Sequence, residues 1–220
     1  MCDIFSVGMV IWFRHMCAKE SEGNSVTPDQ VLEFWVNEVG PERWYAQDDA
    51  LDNEIRERFE KAWQEARDKF YHNWACRPLN MLSLIILLDQ FPRNMFRGTA
   101  KAYSTDALAL KLSKKAVELR HDRKVEGDIR QFFYMPMMHS EVLMDQEKCV
   151  RLFSANMPGS GSIPHAKAHR EIIRRFGRFP FRNRALGRTS TPAEQKFLAE
   201  SGYADVLRQI EAAGQHKIAV

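Results

Sequence analysis

The sequence lacks the features that define several large classes of protein. Its mostly apolar stretch from Ile4 to Phe13 is ten residues long, against about 20 for a helix that crosses a bilayer. No basic residue precedes this stretch, as one does in a secretory signal. No phosphate-binding glycine loop or dinucleotide fingerprint occurs, and the four cysteines form no CxxC pair. We therefore expect a cytoplasmic protein with no membrane segment and no cofactor.

Length, composition and charge are ordinary. With 45% hydrophobic and 28% charged residues, the 220-residue chain resembles a soluble domain with one core. A net charge of +3 is too small to indicate nucleic acid by itself. We expect a helical domain over residues 26–202, an amino-terminal extension over residues 1–25, and a helical tail over residues 203–220. Composition leaves the oligomeric state open.

Helix signals are frequent, whereas no strand pair or hairpin turn is evident. Thr27-Pro28-Asp29-Gln30 and Thr191-Pro192-Ala193-Glu194 are capping boxes with proline in the first turn. Apolar residues recur at three- and four-residue steps between Asp48 and His72, with charges on the opposite face. Ser104-Thr105 is expected to cap another helix, and Gly177 to end one. The pattern predicts an all-α protein.

The first polar segment follows a helix that is apolar almost all round, from Leu79 to Leu88. We expect this helix to be buried and to end at Pro92. Asp89 and Gln90 occupy its last turn, where a buried carboxylate needs a partner or a function. Two interpretations stay open: Asp89 pairs with a neighbour such as Arg93, or it belongs to a site that includes Gln90, Arg93 and Asn94.

The second polar segment contains His139, Ser140, Glu141 and, further on, Asp145. A histidine beside carboxylates is the usual arrangement for proton transfer near neutral pH. Ser140-Glu141 is equally typical of a plain helix start. We expect His139 to be the acid or base, oriented by Glu141 or Asp89. Helices are predicted over Ile129–Met137 and Ser140–Phe153, as separate helices or as one helix kinked at the proline.

The third segment is basic and aromatic. From Lys167 to Arg188, eight Lys or Arg residues accompany one acid. Arginines after the Gly177 stop, notably Arg178 and Arg182, can bind a carboxylate or phosphate bidentately. Interleaved phenylalanines also allow stacking on RNA bases. The alternative without a function is a solvent-exposed basic helix whose phenylalanines pack in the core. His165 and His169 have a helical metal-ligand spacing without a third ligand, so we expect no metal.

These segments together resemble the bacterial family catalogued as domain of unknown function 924. The resemblance lies in VLEFW at Val31–Trp35, LLDQFPRNMFRGT at Leu87–Thr99, MHSE at Met138–Glu141, HREIIRRFGRFPFRNRALGR at His169–Arg188 and TPAEQKFL at Thr191–Leu198. It implies an all-α, tetratricopeptide-like fold of packed antiparallel helix hairpins, and it implies no activity. Phe181 stands where the resemblance leads us to expect a histidine, which puts proton transfer at that position in doubt.

The three segments are expected to form one site. The leading hypothesis is an enzyme or binder of a small anionic metabolite, hydrolase-like if catalytic, since no redox or nucleotide motif is present. In it His139, Glu141 and Asp89 are catalytic, and the ligand is bound by Gln90, Arg93, Asn94, Asp145, His169, Arg178 and Arg182. The alternatives are an RNA-binding protein that uses the basic aromatic segment and a helical scaffold that binds a peptide or protein partner.

Overall fold

The computed structural model describes residues 26–69, 71–200 and 202–216, and the chain in these ranges is helical without a strand. Its α-helices are α1 (Pro28–Leu32), α2 (Asp49–Arg67), α3 (Pro78–Met95), α4 (Asp106–Glu118), α5 (Met135–Met138), α6 (Leu143–Asn156), α7 (Ser162–Phe176), α8 (Pro192–Ala199) and α9 (Gly202–His216). A π-helical segment, Glu33–Val39, continues α1, and short 3₁₀ segments include Ala100–Tyr103, Asp128–Phe133 and Pro180–Arg182. The prediction of an all-α fold is confirmed.

Three helix ends have the chemistry that the sequence predicts. Thr27 and Thr191 each accept the backbone N–H three residues on, while Gln30 and Glu194 bind back to the cap residue. Gly177 ends α7 in the left-handed region at φ 68°, where a side chain would be strained. Thr105 precedes α4, but its side chain makes no capping bond, so that part of the cap prediction is wrong.

Helix α3 lies in the middle of the main core, as its composition predicts. Its residues from Met81 to Phe91 are buried, and α1, α2 and α4 pack around it. The expectation that Pro92 ends α3 is wrong, because the helix continues to Met95. A proline leaves the carbonyl four residues earlier without its N–H partner. Here that carbonyl, on Leu88, accepts the hydroxyl of Thr105 at 2.6 Å, so the helix continues without an unsatisfied group.

A smaller apolar cluster lies beside the main core and carries the carboxyl-terminal helices. Ala168 and Ile172 of α7 pack there with Phe179 and Val206, and α9 lies against α7. The part of the predicted tail that the structure describes, α9, is therefore packed on the domain. The extension over residues 1–25 falls outside the described residues, and the domain boundaries and tetratricopeptide-like architecture stay predictions.

The chain between α4 and α7 is more broken than its periodicity predicts. Residues of the helix expected over Ile129–Met137 instead form the 3₁₀ segment Asp128–Phe133 and the short helix α5. The next helix begins at Leu143, because Ser140 accepts the Val142 N–H and donates to Asp145. Proline in the first turn of α5 removes an N–H that such a turn leaves unpaired anyway. Within the described ranges, no helix has the length and apolar composition needed to cross a bilayer.

Candidate functional site

A buried carboxylate, Asp89, connects the first two polar segments. Its side chain is 1% exposed near the end of α3. His139 donates its Nδ1–H to both carboxylate oxygens, at 2.9 and 3.0 Å, and the Gln90 amide donates at 2.5 Å. The guanidinium of Arg93 lies 3.2 Å from the same carboxylate, one turn along α3. Asp89 therefore pairs with Arg93, as one interpretation expects, and also contacts a histidine 50 positions away, while its role in a site stays a prediction.

The surroundings of this pair set its protonation state. Burial alone would raise the pKa of Asp89, but the charges of Arg93 and His139 outweigh it and lower that pKa to about 2. Burial, aided by the charge of Arg93, lowers the pKa of His139 below its ordinary value, although Asp89 opposes this. At neutral pH Asp89 is therefore ionised and His139 is neutral. With the proton on Nδ1, the other ring nitrogen, Nε2, carries the lone pair.

Two arginines meet at a second carboxylate, Asp106, at the start of α4. Arg93 reaches its Oδ2 at 3.0 Å, and Arg182 reaches the same oxygen at 3.3 Å. Burial and the nearby charge of Asp89 raise the pKa of Asp106, with Arg93 opposing them. The other oxygen, Oδ1, is buried without a hydrogen-bond partner among the described residues. Asp106 thus joins α3, α4 and the basic segment.

Arg182 lies between two aromatic rings. Its guanidinium is 4.7 Å from the ring centre of Tyr103 and 4.6 Å from that of Phe179. It also donates to the backbone carbonyl of His139 at 3.1 Å, which ties the basic segment to the Asp89–His139 pair. Its Nε and Nη2 have no acceptor in the part of the chain that the structure describes. These donors, beside His139, are suited to a carboxylate or phosphate.

His169 of α7 faces His139, with ring centres 6.4 Å apart. Its Nδ1–H donates to the backbone carbonyl of His165 at 2.9 Å, which leaves the lone pair on Nε2. Burial is the main cause that lowers the pKa of His169 to about 3. The site therefore presents two neutral imidazoles. We name Asp89, Arg93, Asp106, His139, His169 and Arg182 the central cluster.

Four predicted site residues have other partners. Glu141 accepts both terminal nitrogens of Arg188 and the backbone N–H of Phe179, so Asp89, and not Glu141, orients His139. Arg178 binds Glu194 with two nitrogens, at 2.6 and 2.7 Å. Asn94 donates to Asp52 at 2.8 Å, and Asp145 contacts Ser140 and Lys114. Their roles in binding stay predictions, as do those of the residues in the central cluster.

Three residues of the site were not singled out in the sequence. In the sequence, Asp106 looks like an ordinary acidic residue in the first turn of a helix. Tyr103, three residues earlier, belongs to no recognisable motif. Tyr203 lies in the predicted tail, yet its hydroxyl is 2.7 Å from Nδ1 of His165 and its ring centre 5.2 Å from that of His169. Only contacts between distant segments identify these residues, because none belongs to a local pattern.

The described residues offer no cluster of three or more metal-ligating side chains. The HxxxH pair of α7 does not converge on one point. His165 directs Nδ1 to Tyr203, whereas His169 directs Nδ1 to a backbone carbonyl. The donor set nearest to these histidines is dominated by arginine, which attracts anions.

The fold and site define an all-helical protein with a buried Asp–His–Arg cluster. The sequence profile described as bacterial protein of unknown function (DUF924) matches residues 31–202. The chain therefore belongs to this family. A solved structure of a protein of unknown function from Agrobacterium tumefaciens is similar, with 40% identity and a TM-score of 0.75 over 79% of this chain and 97% of that one. A comparison with curated proteins gives no significant match.

Proposed function

We propose that the protein is a hydrolase-like enzyme that acts on a small anionic metabolite by acid–base catalysis at His139. One observation carries the proposal: a fully buried carboxylate, Asp89, accepts the Nδ1–H of a neutral histidine. A carboxylate in that position fixes the tautomer and stabilises the imidazolium that forms when Nε2 takes a proton. Within the central cluster, the side chain of His139 is 14% exposed, so the ring is not sealed in the core.

The reaction follows from these positions. A water molecule gives a proton to Nε2 of His139 while its oxygen bonds to the acyl or phosphoryl centre of the substrate. The bond to the leaving group then breaks, and the leaving group takes the proton from His139. Arg182 binds the anionic group through the donors that have no acceptor among the described residues. General acid–base catalysis of this kind contributes about 10²- to 10⁴-fold to a rate.

The charges of the basic segment support a small ligand over RNA. Besides Arg182, five of its eight cations form ion pairs with carboxylates; these are Arg170, Arg174, Arg175, Arg178 and Arg188. Phe179 is fully buried and Phe176 packs on Phe197, so of the three interleaved phenylalanines only Phe181 is open for stacking, which is fewer rings than a run of bases would use. Binding to a nucleic-acid backbone needs several cations available to phosphates. A peptide scaffold has no specific observation in its favour.

The test combines binding and turnover. The purified protein is titrated with acetate, propionate and phosphate up to about 10 mM while NMR follows the imidazoles, then incubated with their small esters and amides. We expect shifts at His139 and turnover of at least one ester or amide. His139→Gln and Arg182→Met should lower the rate by about 10²-fold or more, whereas the control His121→Gln should retain it. Absence of both anion binding and turnover would refute the proposal.

A further inference from the structure

Four aromatic rings form a closed cycle beside the central cluster. Phe179 contacts His169 at 5.3 Å and stacks on Phe181 at 5.2 Å between ring centres. Tyr203 meets the other edge of both, at 5.2 Å from His169 and 6.4 Å from Phe181. We name Phe179, Phe181 and Tyr203, together with the His169 ring, the aromatic wall. The wall connects His169, which faces His139, to the exposed ring of Phe181.

One ring of the wall is exposed to solvent. Phe179 is fully buried, and Tyr203 is fixed by the bond from its hydroxyl to His165. Phe181, in contrast, is 41% exposed, although it is a large apolar side chain. Phe179 covers one face of its ring in a stacked arrangement with an interplanar angle of 25°, so the exposure belongs to the remaining surface. An aromatic ring that is packed on one face and exposed elsewhere can stack on a flat group of a ligand.

The platform is directly connected to the anion-binding donors. Phe181 precedes Arg182 in the chain, and the guanidinium of Arg182 lies on the ring of Phe179, on which Phe181 stacks. Phe181 is thus one ring away from the guanidinium, and a ligand that spans both would place its anionic group at Arg182 and a second group at Phe181. Such a ligand gains contact area if the group next to its anion is flat and apolar.

We infer that the ligand is an anion that carries an aromatic group, and that Phe181 and Tyr203 select this group. This inference rests on the proposed function, since it uses the same site and the same Arg182. The family match ends at residue 202, so Tyr203 is the first residue beyond it.

The experiment compares two carboxylates that differ by one phenyl group, acetate and phenylacetate, by NMR titration of the full chain. We expect phenylacetate to bind about tenfold or more tightly than acetate, as one buried ring contact allows. Phe181→Ala should remove most of this advantage and leave acetate binding unchanged. Tyr203→Phe, which keeps the ring and loses only the hydroxyl, should retain the advantage, whereas Tyr203→Ala should reduce it.

Leu198→Ala is the matched control, because Leu198 is an apolar side chain of α8 that is 43% exposed, nearly as much as Phe181, and is not a member of the wall. It should leave both affinities unchanged. Circular dichroism verifies that each variant is folded, and Phe181→Leu replaces the alanine variant if that one is not. Equal affinity for acetate and phenylacetate in the wild type would overturn the inference and leave the proposed function standing. If neither carboxylate binds, the inference fails, and the phosphate titration and the turnover assay decide the proposed function.

Discussion

Thr105 donates its hydroxyl hydrogen to the backbone carbonyl of Leu88 at 2.6 Å. This carbonyl is the one that Pro92 leaves without a helical partner. The same hydroxyl oxygen accepts the indole N–H of Trp63 at 3.1 Å. One side chain from outside α3 therefore satisfies two buried groups and allows the helix to extend past a proline to Met95. The residues of the site at the end of α3 depend on that extension.

Thr105→Val is expected to destabilise the protein by about 2 to 4 kcal/mol, because it keeps the side-chain volume and leaves two buried polar groups without partners. The measurement is the midpoint of urea unfolding, at unchanged m-value. Thr99→Val is the control, since Thr99 donates to Phe96 in the same way at an exposed position. It should cost less than about 0.5 kcal/mol. Equal effects of the two substitutions would show that the Leu88 carbonyl does not need Thr105.

The parts of the fold that sequence predicts are those determined within one or two helical turns. The boxes at Thr27 and Thr191 and the stop at Gly177 use residues at most four apart, so spacing alone identifies them. The path of α3 through Pro92 is different. It depends on Thr105, 17 positions away from Leu88. No local pattern contains that information, and the general rule for proline led to a wrong boundary.

The site, like the fold, has some features that local sequence predicts and others that only tertiary contacts determine. Asp89 and His139 are recognisable because a charged or titratable group beside an apolar run requires a partner. Their actual pairing, 50 positions apart, and the choice of Asp89 over Glu141 as the partner of His139 are tertiary. Asp106 has no distinguishing neighbour in the sequence. Its position between Arg93 and Arg182 appears only when α3, α4 and the basic segment are packed together.

A second stability prediction concerns Asp52, a buried carboxylate of α2. It accepts two nitrogens of Arg97, at 2.7 and 2.8 Å, and the amide of Asn94 at 2.8 Å. Asp52→Ala should lower the free energy of unfolding by about 1 to 3 kcal/mol, because it leaves the buried amide of Asn94 without an acceptor, whereas Arg97 is exposed and regains water. Asp49→Ala, at an exposed position of the same helical turn, should have a much smaller effect. A cost below about 1 kcal/mol for Asp52→Ala would contradict this account.

The two histidines of the central cluster should make the fold sensitive to acid. Both have a pKa that burial lowers, His169 to about 3. Since the unfolded chain then binds protons more readily than the folded one, stability is complete above the unfolded pKa of about 6.5 and falls as pH decreases below it. The slope should be at most about 1.4 kcal/mol per pH unit for each histidine.

Urea unfolding between about pH 7.5 and pH 5 measures this slope. His169→Gln replaces the ring by a neutral side chain that does not titrate, so the variant should show a smaller loss of stability over the same range. His121→Gln is a useful comparison, because burial also lowers the pKa of His121 at a position remote from the cluster. An unchanged slope in His169→Gln would mean that folding does not lower the pKa of His169.

The last prediction isolates the role of Asp89. In Asp89→Asn the side-chain oxygen still accepts the Nδ1–H of His139, but the negative charge that stabilises the imidazolium is gone, and Asp89 no longer offsets the charge of Arg93 beside the ring. The pKa of His139, already below its ordinary value, should therefore fall by at least about one pH unit. NMR titration of the His139 imidazole measures this without knowledge of the substrate.

Asp145→Asn is the control for Asp89→Asn, because it removes another buried carboxylate, which contacts Ser140 and Lys114 and not the ring. It should leave the pKa of His139 unchanged. Once a substrate is identified, the Asp89→Asn variant should turn it over about 10- to 100-fold more slowly than the wild type. The reason is that the imidazolium formed during turnover loses its counter-charge. An unchanged pKa of His139 in Asp89→Asn would show that burial, and not the pair with Asp89, determines its protonation.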